Sequence, residues 1–387
     1  MADKKYLNAV VQVVAGLGLN IFPAMFIAVY ARIAPIELQG FLALSLAVGV
    51  YVAQLINAFI VEGRLATPEA DHDFSLPSWV ALVSLAAGLV LILGPPVTVP
   101  AALMGSSIGV MTGLLVARSI GVVSGRTKQE ALASVLLIVS GAGAVVLAAR
   151  HSGHSVRLLA GGALAAILIR YLPRTVIGRW GMPPDLRRSS WVTAETAVVG
   201  AVQPAITSLV LTTIGPAASV AFRVVSTVSG ALEPIIAYGR YRLLAHGHRG
   251  EVAIVVAIFS AGLAIVLVAA FGGFGKLVFG PAWNQVGAAA LLLACLWKGL
   301  MLVSTVPFAA LRKAGETKVV FWIRALSSVV YLVIGSAFLW IWHSNAAIFA
   351  AFVLAEALTA ILYHRIALRS APAYEDSFGH RSAGGDR

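Results

Sequence analysis

The run QPAITSLVLTTIGPAASVAFRVVSTVSGALEPIIAYGRYR, residues 203–242, decides the fold of this chain. Two apolar segments meet in it at Gly215-Pro216, and the second segment carries Arg223 and Glu233. A weaker copy of the run lies in the N-terminal half. The matches, at a constant offset, are Pro23 with Pro204, Ile33 with Ile214, Pro35 with Pro216, Phe41 with Phe222 and Ser45 with Ser226. An internal repeat of this length predicts a protein built from two similar halves.

Composition assigns the chain to the membrane proteins. Of its 387 residues, 59% are hydrophobic and 11% are charged, whereas an ordinary soluble domain has about 25% charged residues. The net charge of +12 does not indicate a nucleic-acid partner, because the basic residues stand singly between apolar runs and form no recognition motif. Cys295 is the only cysteine, so the sequence has neither a disulfide framework nor a thiolate metal site.

The apolar runs have the length of membrane-spanning helices, which need about 20 residues each. We predict an all-α integral membrane protein with about twelve transmembrane helices. The predicted spans are Leu7–Ala31, Glu37–Val61, Ser78–Gly94, Thr98–Val122, Ala131–Ala149, Val156–Ile177, Trp191–Ile214, Ala217–Leu244, Glu251–Phe271, Val286–Leu311, Val319–Trp342 and Ala346–Leu368.

The longest predicted inner connection, Gly178–Ser190, divides these spans into two lobes of six. We therefore predict an N-terminal six-helix lobe over residues 1–180 and a C-terminal six-helix lobe over residues 181–370. Residues 371–387 are rich in Ser, Gly and charged residues, a composition that predicts a disordered cytoplasmic tail.

The charges between the spans predict the orientation. Basic residues concentrate in cytoplasmic connections, and with the N-terminus inside, few of them fall in external turns. Those few are Arg32, Arg150, Arg157 and Lys276, whereas the inner connections hold most of the others, including Arg118 and Arg170. We therefore predict a multi-pass protein of the cytoplasmic (inner) cell membrane with both termini in the cytoplasm.

Three cations fall inside predicted spans, where each costs at least about 2.5–3.5 kcal/mol and usually faces a cavity or a partner. They are Arg223, Lys298 and Arg324, and we interpret them as substrate-binding cavity cations. The alternatives are structural ion pairs, or long side chains that reach an interface.

Three acids are candidate coupling residues or ion-pair partners: Glu195, Glu233 and Glu356. Glu233 precedes Pro234, which interrupts the hydrogen-bond ladder of a helix and predicts a kink. Glu356 lies deepest, and we favour its pairing with a cation over a protonated lone carboxyl.

The sequence predicts no cofactor and no metal. His151 and His154 lack a third ligand. Glu69 and Asp71-His72-Asp73 form a polar cluster that we interpret as part of a loop. It is also the only acidic cluster in the sequence of the kind that general-base or metal chemistry at a membrane edge requires.

Two segments resemble the polysaccharide flippases of the multidrug/oligosaccharidyl-lipid/polysaccharide (MOP) exporter superfamily. They are IFPAMFIAVYARIAPIELQGFLALSLAV, residues 21–48, and the run from Leu277 to Gly335. The second contains a Phe-Gly-x-x-aromatic element at residues 279–283 and the basic loop Arg312-Lys313-Ala314-Gly315-Glu316. The resemblance implies two six-helix lobes around a cavity that opens alternately to either side, and cations that attract the diphosphate of a lipid-linked sugar.

The first functional hypothesis is therefore a flippase or exporter of a lipid-linked oligosaccharide or polysaccharide precursor, and not an enzyme. Its expected partners are the anionic lipid-linked glycan, membrane lipids and glycan-assembly proteins. The alternatives are a cation-coupled exporter of small molecules, a membrane transferase acting on polyprenyl-linked sugars, and a scaffold that transports nothing.

Overall fold

The structure, a computed structural model, describes residues 18, 20–65, 77–93, 99–124, 126–171, 186–237, 239, 249–313 and 316–370. Throughout these ranges the regular secondary structure is helical. The helices are α1 (Asn20–Ile33), α2 (Ile36–Asn57), α3 (Ser78–Leu93), α4 (Pro100–Val123), α5 (Thr127–Ala149), α6 (Ser155–Tyr171), α7 (Leu186–Gly200), α8 (Val202–Thr213), α9 (Pro216–Gly230), α10 (Arg249–Phe271), α11 (Phe274–Phe279), α12 (Ala288–Lys313), α13 (Thr317–Trp342) and α14 (Asn345–Ser370).

These helices confirm the prediction of an all-α, multi-pass membrane protein. Within the described ranges, eight helical segments are long and apolar enough to cross a membrane, and Asn20–Ile33 and Ser78–Leu93 are shorter apolar helices. Every predicted span overlaps a helix of the described residues. The predicted tail, residues 371–387, lies outside them.

Two of the predicted spans are interrupted at prolines. The seventh breaks at Ala201 between α7 and α8, and the eighth breaks after Gly230 and resumes as helix at residues 233–237. Pro204 and Pro234 have no N–H to donate to the carbonyl four residues earlier, which in both cases belongs to a glycine. The kink expected at Pro234 is therefore a break in the helix.

One element was not predicted. The segment treated as an external turn forms the short helix α11, and a 3₁₀ turn follows it over Gly280–Gln285. Gly273 and Gly280 bound α11 with positive φ angles of 93° and 56°, which a side chain would disfavour.

Packing divides the chain into two compact units. Unit 1 comprises Met1–Thr227 and Gly273–Val286, and unit 2 comprises Val228–Gly272 and Gly287–Arg387. This division differs from the lobe boundary expected between residues 180 and 181, and the two six-helix lobes stay a prediction.

In unit 1, α2 packs along α4 and also contacts α7 and α8, while α6 packs against α3 and α5. Small residues permit these close approaches, as is common between membrane helices. A Cβ at Gly49 of α2 would lie 2.9 Å from the carbonyl oxygen of Ser107 in α4.

In unit 2, α14 is the central helix, because it packs against both α12 and α13. Phe308, Leu311 and Tyr363 are buried where these helices meet. In contrast, α10 leaves large apolar side chains exposed, including Ile265 and Val268. A hydrocarbon environment accommodates such a face without cost.

The repeat seen in the sequence is present as two helical hairpins in unit 1. Helices α1 and α2 join at Pro35, and α8 and α9 join at the matching Pro216. The two hairpins touch, since a Cβ at Gly40 of α2 would lie 2.8 Å from the Cα of Pro216.

Candidate functional site

Arg223 occupies a buried position of unit 1. It lies on α9, two turns after Pro216, and is 6% exposed. The matching residue of the first hairpin, Leu42, is 0% exposed. The same position in the repeat is therefore buried twice, once with an apolar side chain and once with a cation.

Lys298 is a buried cation that forms an ion pair within unit 2. Its Nζ lies 2.6 Å from Oε1 of Glu233, and its side chain is 3% exposed. The ammonium also lies 4.0 Å from the centre of the Trp297 ring, which adds a cation–π contact. The sulfur of Met301 is 3.8 Å from Nζ. These contacts correspond to the structural ion pair that the sequence left open as an alternative for Lys298.

Glu233 reaches this pair because the helix breaks. α9 ends at Gly230, and Glu233 begins the helical segment that follows. Its side chain remains 52% exposed while it binds the buried ammonium. The pair thus has one sealed partner and one accessible partner.

Glu356 lies on α14, also in unit 2, and its partners are hydroxyl groups. Ser304 Oγ of α12 donates to Oε1 over 2.5 Å, and Tyr331 Oη of α13 donates to Oε2. Trp297 Nε1 in turn donates to Tyr331 Oη over 2.7 Å. Both carboxylate oxygens of Glu356 thus accept hydrogen bonds from hydroxyl groups, and its pairing with a cation stays a prediction.

These contacts join three helices of unit 2 into one polar network, defined by Trp297, Ser304, Tyr331 and Glu356. Aromatic packing surrounds it: the Trp297 ring centre lies 4.9 Å from that of Phe352. A buried carboxyl needs hydrogen-bond partners of this kind. The network holds a carboxylate in a largely apolar environment.

The two remaining candidates, Arg324 and Glu195, lie on different helices. Arg324 is partly buried on α13, with its guanidinium carbon 5.5 Å from the centre of the Phe308 ring. Glu195 is partly buried on α7 of unit 1. Cargo binding by Arg324, and coupling or ion pairing by Glu195, stay predictions.

A second ion pair, in which both side chains are buried, is not predicted by the sequence analysis. Arg170 Nε of α6 lies 3.1 Å from Glu130 Oε1 of α5, and the two side chains are 0% and 2% exposed. Gly121 of α4 permits this approach, because a Cβ there would lie 2.5 Å from Oε1 of Glu130. Arg170 was assigned to a cytoplasmic connection, and that assignment is wrong for its side chain, which is buried inside the helix bundle. Its spacing from Glu130 gives no sequence signal.

Arg32 has a role that its position in a turn did not suggest. Its guanidinium donates to the carbonyls of Ala28 over 2.7 Å, Val278 over 2.8 Å and Leu277 over 2.8 Å. The last two carbonyls belong to the final turn of α11, where a cation interacts favourably with the helix dipole. Arg32 therefore holds α11 against the end of α1 within unit 1.

Two other polar groups were considered as chemical sites: the acidic cluster at residues 69–73 and the histidines His151 and His154. Glu69 and Asp71-His72-Asp73, the basis of the transferase alternative, lie outside the described residues. His154 Nδ1 lies 3.5 Å from Arg157 Nη1 in the described part of the chain. No group of three metal-binding side chains occurs in that part.

Comparison with known proteins identifies the fold. No protein-family model matches the chain, and no curated protein matches it in sequence. Among solved structures, it is similar to the outward-facing conformation of a multidrug resistance MATE family transporter of the MOP superfamily, with 13% identity, 96% of each chain covered and a TM-score of 0.53.

Two further structures agree. The inward-facing conformation of a multidrug resistance MATE family transporter of the MOP superfamily has 14% identity, covers 95% of this chain and 96% of its own, and gives a TM-score of 0.51. A MATE in complex with MaL6 gives the same four values. The chain is therefore an all-α membrane protein with the fold of the MATE transporters of the MOP superfamily.

Proposed function

We propose that this chain is a membrane transporter that works by alternating access and exports a lipid-linked anionic oligosaccharide or polysaccharide precursor. The fold carries the proposal. It is shared, over 95% or more of both chains, with MATE transporters solved in an outward-facing and in an inward-facing conformation. The proposed location is the cytoplasmic (inner) membrane with both termini in the cytoplasm, and the proposed partners include glycan-assembly proteins.

The proposed cargo follows from the cations. Arg223 and Lys298 are 6% and 3% exposed, and cations inside membrane spans usually face a cavity or a partner. We assign to these two residues, with Arg324 in support, the attraction of the cargo diphosphate. For Lys298 this requires the phosphate to compete with Glu233, whose half-exposed carboxylate is already accessible.

The test measures flipping of a fluorescent polyprenyl-diphosphate sugar in proteoliposomes. The variant Arg223→Ala/Lys298→Ala is expected to lose transport while the purified protein remains folded and monodisperse. Arg157→Gln, an exposed arginine in a predicted external turn, is the matched control and is expected to transport normally. Transport at the wild-type rate by the double variant would contradict the proposed cargo.

A charge exchange separates a cargo-binding lysine from a structural one. Lys298→Glu/Glu233→Lys keeps an ion pair but moves the cation to the accessible partner. If Lys298 acts only through its ion pair with Glu233, the exchanged protein transports at about the wild-type rate. If Lys298 meets the cargo, as we propose, transport stays low.

The second candidate function is a cation-coupled exporter of small molecules. Two observations favour it: the buried Glu356 carboxyl held by Ser304 and Tyr331, and the multidrug resistance transporters among the structures that share the fold. Drug efflux from cells or vesicles that is abolished by Glu356→Gln would support this candidate. Efflux that is absent from the wild type, or insensitive to that substitution, would count against it.

A further inference from the structure

We propose that a groove of unit 2, formed by α10, α12 and α14, binds one anionic phospholipid, with an acyl chain on its apolar floor and the headgroup at Arg365. This inference does not rest on the proposed cargo or on transport. It concerns an ordinary membrane lipid and a face of unit 2 that the polar network does not use.

The groove has the size and lining of a lipid site. Its volume is about 500 Å³, within the range of about 300–1,000 Å³ that small-molecule sites have. One face of each helix contributes to it: Val252, Val255 and Val256 from α10, Leu302, Val303, Val306 and Pro307 from α12, and Ala360, Ile361, His364 and Arg365 from α14. The spacing of these residues is that of a single helical face in each case.

The floor is apolar and open. Val256, Val303 and Ile361 are 47%, 59% and 53% exposed, so large aliphatic surfaces are available for contact. In a membrane their partner is an acyl chain, which packs against them through van der Waals contacts. An acyl chain stays bound for a longer time in a concave site of this kind than on the flat face of a lipid-exposed helix.

Pro307 helps to form the groove. It lies inside α12 and donates no backbone hydrogen bond, so the carbonyl of Val303 loses its usual helical partner. Val303 and Pro307 both line the groove. The irregularity in α12 therefore lies at the site itself.

Charge is concentrated at one end of the groove. The lining residues nearest the helix termini are Val252, three residues into α10, and Arg365, five residues before the end of α14. His364 and Arg365 both line that end and are exposed. Two further exposed cations belong to the same end of unit 2: Lys318 at the start of α13, and Arg369. The acids Glu251 and Glu316 share this end, and the basic residues outnumber them.

The combination selects an anionic phospholipid. An apolar floor excludes a soluble anion as the main ligand, and basic pockets between membrane helices favour anionic headgroups over zwitterionic ones. The other possible occupants are a zwitterionic lipid and a second copy of this chain, and they give different results in the test.

The test is native mass spectrometry of the purified full-length protein in detergent, titrated with phosphatidylglycerol or with phosphatidylcholine. We expect one phosphatidylglycerol to be retained per chain and phosphatidylcholine to be retained more weakly. Arg365→Gln is expected to weaken phosphatidylglycerol binding about fivefold, the effect of removing one basic contact to an anionic lipid. Arg157→Gln, an exposed arginine of α6 in unit 1 and outside the groove, is the matched control and is expected to bind as the wild type does.

A second variant tests the floor. Val303→Trp fills the groove and is expected to abolish retention of both lipids, and Ile361→Trp gives the same test from α14 if the first variant does not fold. The proposal is overturned if Arg365→Gln and Arg157→Gln behave alike, if the two lipids are retained equally, or if the bound mass is that of a second chain.

Discussion

Two ion pairs, one in each unit, have the same chemistry and opposite environments. In unit 1, Arg170 and Glu130 are 3.1 Å apart with side chains 0% and 2% exposed. In unit 2, Lys298 and Glu233 are 2.6 Å apart, but their side chains are 3% and 52% exposed. We call the first pair the sealed pair, because both of its side chains are buried. We call the second the accessible pair, because it joins a buried cation to a half-exposed acid.

The difference distinguishes a pair that only holds helices together from one that can exchange partners. In a sealed pair each charge depends on the other, because separation leaves an uncompensated charge in the interior. In the second pair the carboxylate is already half exposed, so it can leave the ammonium at lower cost. This is the property that the proposed competition between Glu233 and a cargo phosphate requires.

The largest expected effect concerns the sealed pair. Glu130→Gln leaves Arg170 charged and buried, and we expect the free energy of unfolding to fall by about 3–5 kcal/mol. Unfolding titrations in mixed detergent micelles measure this change. Lys128→Gln, an exposed change on the same helix, is the control and is expected to stay within about 0.5 kcal/mol of the wild type. Equal free energies of unfolding for the two variants would show that the Arg170–Glu130 pair does not stabilise the fold.

The accessible pair should respond unequally to the loss of either partner. Glu233→Gln leaves the buried Lys298 ammonium without its carboxylate, and we expect a loss of about 1–3 kcal/mol of unfolding free energy. Lys298→Met leaves a carboxylate that water can hydrate, and we expect a change below about 1 kcal/mol. The same titrations measure both variants, and the reverse order would contradict the assigned environments.

Glu356 extends the comparison to a buried acid whose carboxylate is held by two hydroxyl groups. Glu356→Gln keeps one acceptor oxygen and loses the other, so one of the two hydroxyls loses its acceptor. We expect a loss of about 1–2 kcal/mol. Tyr331→Phe removes the same contact from the other side, so the double variant should cost less than the sum of the single variants. Additive losses would show that the two groups do not interact.

The smallest expected effect concerns Arg32, a cation that binds carbonyls in place of a carboxylate. Arg32→Gln removes the contacts to Leu277 and Val278, and we expect a loss of about 1 kcal/mol that is confined to α11. Hydrogen exchange should become faster over Phe274–Phe279 and stay unchanged in α2. Arg157→Gln, an exposed arginine of α6, is the control. Faster exchange in both variants would show that the contacts of Arg32 do not specifically stabilise α11.

Much of the fold was predictable because its signals are local. Runs of apolar residues gave the spans, and Pro35 and Pro216 marked the two equivalent hairpin turns before any contact was known. The break near Pro234 followed from the missing N–H of proline. Helix α11 was missed, because its six residues are too few for a hydropathy pattern and depend on Arg32 from a distant part of the chain.

The candidate site was predictable only as a set of residues. Depth within a span selected Lys298, Glu233 and Glu356, and two of these three meet. The same reasoning placed Arg170 in a connection, because it lies near a span end, where a basic residue normally reaches water. Its partner Glu130 is 40 residues away and on another helix.

The sequence by itself determined that this protein is an all-helical membrane protein with a repeated hairpin, and that one repeat position holds Leu42 in the first hairpin and Arg223 in the second. Those properties depend on hydropathy, helix length and proline, which act over a few turns. Only the tertiary structure decided which charges meet, since Lys298 and Glu233 are 65 residues apart, and Arg32 and Leu277 are 245 apart. Such partners are fixed by the helix faces that packing brings together, and a single sequence does not specify those faces.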